Sequence, residues 1–141
     1  MKRFFASIVA AVILAGAPAL AQTGPGGVPV GAGLQRGMEQ LNESGEVGFV
    51  TLFDQNGSTR IVTAMNGVPP GRTQTVAIQR GKDCSSFDPG MTARSADLVG
   101  GTSRGTVAMS QDRLTSGNYD VVVYSTTGPG ARPVACGHLY R

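Results

Sequence analysis

Residues 117–126 read Gly-Asn-Tyr-Asp-Val-Val-Val-Tyr-Ser-Thr. Ser116-Gly117-Asn118 is a turn signal, and the valine run flanked by tyrosines has strong strand propensity. At six to eight residues the run is too short for a buried helix, so it decides the class. Working outward, similar short segments recur between turns. Glu46–Phe53 and Ser58–Met65 flank Asp54-Gln55-Asn56-Gly57, whose Asn-Gly is a hairpin signal. Thr73–Arg80 follows Val68-Pro69-Pro70-Gly71 and alternates through Thr75-Val76-Ala77-Ile78. Arg104–Ser110 and Pro133–Leu139 complete the set, with a Gly-Pro-Gly loop at 127–131 and a long loop from Gly81 to about Ala93. Short strands at this spacing predict an all-β sandwich or barrel over 46–141. A glycine content of 21 in 141 residues suits a turn-rich β architecture.

The segments before 46 read differently. Lys2-Arg3, the apolar run Phe4–Leu14 and Ala19-Leu20-Ala21 have the anatomy of a signal peptide cleaved after Ala21, which places the mature chain in the periplasm or outside the cell. The run is short for a membrane span, and no second apolar stretch follows. Residues 22–45 form a Gly/Pro-rich leader. Within it, Leu34, Met38 and Leu41 at i, i+4 and i+7 predict a short helix over 34–44, ended by Ser44-Gly45. Losing Lys2 and Arg3 takes the basic residues from 12 to 10 against 9 acidic ones, and the net charge from +3 to +1. A nearly neutral chain carries no electrostatic footprint for nucleic acid or anionic lipid.

Cys84 and Cys136 both lie in the mature chain. In an exported protein two cysteines suggest one disulfide; a reactive thiol pair is the alternative, without the Cys-x-x-Cys spacing of redox centres. Gly100-Gly101-Thr102-Ser103-Arg104-Gly105 leads into a strand, whereas a dinucleotide fingerprint opens a helix. His138 and Asp120 can be paired on paper, but no spacing supports Ser-His-Asp catalysis. Arg72, Arg80, Lys82 and Arg94 group around the long loop, and Arg132 follows the Gly-Pro-Gly loop; together they are the candidate binding surface for a periplasmic protein or small ligand.

The order of short motifs carries a resemblance. An early hairpin, Val47–Met65, precedes a Gly67-Val68-Pro69 turn. A strand then enters Gly81-Lys82-Asp83-Cys84, Gly117-Asn118-Tyr119 leads the valine strand, and Ala135-Cys136-Gly137 lies near the terminus. From Glu46 onward, about two-thirds of the chain, this resembles the copper/zinc superoxide dismutase-like β-barrels, including their small exported bacterial members. The resemblance implies a Greek-key barrel and a disulfide between the loop cysteine, Cys84, and the terminal Cys136. It also implies where metal ligands belong. The family's His-x-His pair falls within Thr75–Arg80, which holds no His, and a further family His falls at Tyr124. The loop after Cys84 offers Asp88 and Asp97 but no His. Arg132 stands one residue upstream of the family's substrate-guiding arginine, which changes its face on a strand. With a single histidine, His138, the expectation is a non-enzymatic module with no metal or other cofactor; a rebuilt copper or zinc site using His138 is the alternative.

Overall fold

The Asn56-Gly57 signal marks a real reversal. Both residues take left-handed φ values, 51° and 98°, and Gln55 N–H donates to Ser58 O at 2.9 Å. The tight turn joins β2 (Val47–Asp54) to β3 (Thr59–Asn66) in unbroken register from Val47↔Asn66 to Asp54↔Thr59. Side chains then alternate as a pleat requires: Val50, Leu52, Ile61 and Met65 point inward and are buried, while Val47 and Phe49 stay exposed. In the computed structural model, which describes residues 33–81, 84 and 91–140, the remaining elements are β1 (Leu34–Gln40), β4 (Thr73–Arg80), β5 (Met91–Val99), β6 (Thr102–Val107), α1 (Gln111–Ser116), β7 (Tyr119–Tyr124) and β8 (Pro133–His138).

The eight strands form a closed antiparallel barrel in the order β1-β2-β3-β6-β5-β4-β7-β8. Its two halves are unevenly stitched. The β4–β7 ladder runs from Thr75↔Tyr124 to Arg80↔Tyr119. The β5–β6 seam has only Val99↔Thr102, supplemented by Ser103 Oγ donating to Ala96 O at 3.1 Å. The β1–β8 seam pairs Glu39↔Cys136 and Gln40↔Ala135, and is extended by Leu41 N–H donating to Val134 O at 2.8 Å. The core inside the ring is aliphatic, centred on Leu52, Ile61, Val76, Ile78, Val121 and Val123. Among the described residues no helix is long and apolar enough to cross a membrane.

Three expectations need correction or completion. Residues 34–40 are a strand and not a helix. Leu34 and Met38 lie an even number of positions apart, so one face of a strand accommodates both as well as a helical face does. Gly37 in the middle weakens a helix, and β2 supplies the partner, with Leu34↔Leu52 through Met38↔Gly48. Asn42 and Glu43, at φ 53° and 55°, then turn the chain. The barrel thus begins at Leu34, one strand before residue 46. Second, residues 91–99, partly assigned to the long loop, form β5. Third, Ser110 caps the short α1, its Oγ accepting from Arg113 N–H at 3.2 Å. The expected signal segment 1–21, the leader through residue 32, Lys82 and most of the Cys84 loop lie outside the described residues.

Candidate functional site

β4 and β7 are buried on both faces. Their inner residues, Val76, Ile78, Val121 and Val123, fill the core. Their outer residues, Thr75, Ala77, Gln79, Asp120 and Val122, are also buried. Cross-strand register lines these up: Ala77 faces Val122 and Gln79 faces Asp120, while on β8 Cys136 faces Val122 and His138 faces Asp120. A covered outer face with polar side chains is the feature that distinguishes this half of the barrel from the β2–β3 half.

Two polar groupings stand on that face. In the first, the Tyr124 hydroxyl donates to Gln79 Oε1 at 2.8 Å. Burial pushes the Tyr124 phenol above its ordinary value of 10.0. Beside this pair is a hollow of about 290 Å³ lined by Thr75, Gln79, Tyr124 and residues of the 126–131 loop. That loop is tied at its base, Ser125 N–H donating to Arg132 O at 2.8 Å and Arg132 N–H to Ser125 Oγ at 3.2 Å. Among the described residues the lining carries hydroxyls and an amide but no charged side chain.

In the second, on the row where Gln79 faces Asp120, His138 Nδ1 lies 2.8 Å from Asp120 Oδ1. Asp120 is 0% exposed, and its Oδ2 has no hydrogen-bond partner among the described residues. Cys84 and Cys136 are disulfide-bonded, Cα–Cα 5.9 Å. Cys84 Sγ is 3.9 Å from His138 Nδ1, and the His138 and Tyr140 ring centroids are 5.3 Å apart. Asp120 in an apolar strand was the available sequence signal, because a buried charge requires a partner. What selected His138 is the β7–β8 register, which no single sequence spells out.

The arginines expected to form a binding surface do not gather. Arg72 and Arg80 bracket β4 and are about 26 Å apart at the usual strand rise. Arg72 lines a separate hollow of about 520 Å³ at the far end of β4. Arg80 leans over the Tyr119 ring at 5.9 Å, Arg94 is ion-paired to Asp97, and the Arg132 side chain is exposed at the Gly-Pro-Gly loop. No family model, curated protein or solved structure matches the chain.

Proposed function

We propose that the chain is an exported, superoxide dismutase-like Greek-key barrel that acts in the periplasm as a non-catalytic binding module, taking a small uncharged polar ligand on the β4–β7 face. The strand order supports the topology: β3 connects to β4 and β6 to β7 across intervening strands, as in interlocked Greek keys. The observation that carries the functional reading is the Gln79–Tyr124 hydrogen bond beside an uncharged hollow. The resemblance puts histidine ligands on this strand pair. Thr75, Gln79 and Tyr124 offer neutral hydrogen-bonding groups there, and a pre-formed concave site with a few fixed polar groups is the usual form of a small-ligand pocket.

Ligand-observed NMR of the oxidised chain against small sugars, polyols and amides tests this. Binding is expected, and Tyr124→Phe should weaken it about tenfold, the effect of one lost hydrogen bond. Absence of binding across the panel, or identical binding by the variant, overturns the reading. The Asp120–His138 pair favours a second reading, a rebuilt metal protein. Stoichiometric copper or zinc in the oxidised protein, lost in His138→Ala, would establish that reading in place of the first.

A further inference from the structure

Three side chains able to ligate a metal meet where Cys84 is bound over β7 and β8, and a fourth, His138, stands beside two of them. The Sγ atoms of Cys84 and Cys136 and a carboxylate oxygen of Asp120 lie within 4.8 Å of one another. His138 Nδ1 is 3.9 Å from Cys84 Sγ and 2.8 Å from Asp120 Oδ1. Among the described residues the buried Asp120 Oδ2 atom has no partner, a costly state for a carboxylate oxygen unless something else occupies its lone pairs. While the S–S bond stands, the sulfurs are spent, because the thiolate is the metal-binding form of cysteine.

We propose that reduction of the Cys84–Cys136 disulfide by a dithiol converts this corner into a tetrahedral zinc site with Cys84, Cys136, His138 and Asp120 as ligands. Mixed sulfur, nitrogen and oxygen donors in a set of four suit zinc better than the oxygen-seeking cations. His138 stands outside the 4.8 Å group of the other three donors, so its ring has to close on Cys136 Sγ as the metal enters, while its other distances are near those zinc needs. Ordinary zinc bond lengths in a tetrahedron separate sulfur from nitrogen by about 3.6 Å, nitrogen from oxygen by about 3.3 Å and sulfur from sulfur by about 3.8 Å. The first two lie close to the 3.9 Å and 2.8 Å already present. The third is reached once the bond between the sulfurs is broken.

A thiolate of the dithiol attacks Cys84 Sγ, the half-buried sulfur, and the S–S electron pair leaves with Cys136, which is 1% exposed. The second thiol of the reductant displaces Cys84 and closes the reductant's own disulfide. Cys84 and Cys136 take up two electrons and two protons, and zinc binding then releases those two protons to solvent. His138, whose side chain is 40% exposed, gives the ion its way in. The four ligands share no residue with the lining given above for the Tyr124 hollow.

Cobalt(II) is the probe, with the full chain either oxidised or reduced by a phosphine and desalted anaerobically. The reduced chain is expected to bind one cobalt, with tetrahedral visible bands and thiolate charge transfer, and to exchange it for zinc; the oxidised chain gives neither spectrum. His138→Ala and Asp120→Asn should each weaken cobalt binding at least about tenfold and change the band envelope. Because His138 is partly exposed, its variant serves if Asp120→Asn does not fold, as judged by circular dichroism. The proposal is overturned by equal binding in both redox states. It is also overturned by variants that bind as the parent does, or by a reduced chain that binds no cobalt, folded or not.

Discussion

Asp120 and His138 stand opposite each other on β7 and β8, and the imidazole Nδ1 lies 2.8 Å from a carboxylate that is wholly buried. An unpaired charge in an apolar strand is destabilising, so the cross-strand bond compensates for placing Asp120 between Tyr119 and Val121. Removing the imidazole leaves the carboxylate without that partner. His138→Ala is expected to lower the stability of the oxidised protein by about 1–3 kcal/mol, read from urea denaturation. An unchanged midpoint would mean that water replaces the imidazole at no cost.

The disulfide joins residues 52 apart in sequence and anchors the loop cysteine to β8. Constraint of the unfolded chain by a bridge of that span contributes about 4 kcal/mol. Reduction in the presence of a chelator should remove most of it. Urea denaturation of the two forms measures the difference, and a reduced form as stable as the oxidised one contradicts the expectation.

Closure at the β1–β8 seam depends on close backbone approach. A Cβ on Gly137 would come within 2.6 Å of the Gly37 carbonyl oxygen, far inside van der Waals contact. Gly137→Ala is therefore expected to push the seam apart and cost about 1–3 kcal/mol. Hydrogen exchange should show the loss of protection concentrated at Glu39, Gln40 and Leu41. Uniform protection would show that the seam absorbs a methyl group.

Tyr124 gives the fold an alkaline limit. Its phenol is raised above 10.0 by burial, while the unfolded chain keeps the ordinary value. The neutral phenol's contribution is whole below pH 10 and is lost as pH rises through the higher folded value, because the unfolded state ionises first. Tyr124→Phe should remove a phenolate transition above pH 10 and lose less stability than the parent as pH is raised past that point. A Tyr124 transition at or below pH 10 would refute this.

Much of the barrel was legible where local chemistry and tertiary context agree. Thr73–Arg80 could be read as a strand end to end, and the Asn56-Gly57 reversal follows from left-handed backbone that those residue types tolerate. β5 was not legible because its pairing with β4 shifts twice, between Thr75 and Ala77 and between Ile78 and Gln79. Each bulge breaks the period of two that marks a strand, leaving Leu98 as its fully buried anchor. The sequence of β1 is ambiguous because Leu34 and Met38 fit a helical and a strand period alike, and the deciding partner, β2, lies across a turn. For the site, residue types alone place Cys84 with Cys136. Bringing Asp120 to His138, or Gln79 to Tyr124, requires a register between strands separated by a crossover or a glycine loop.

Closure of the ring also bears on how the protein meets its own copies. A sheet grows by offering unpaired backbone groups along an open edge, and a continuous ring withholds them. Here that protection thins along one line, where β5 and β6 share a single residue pair, Val99↔Thr102. Strand-to-strand association into larger assemblies is expected to start between residues 92–98 and 103–107. The exposed Arg94, Asp97 and Arg104 on those strands are then the charges that keep neighbouring molecules apart.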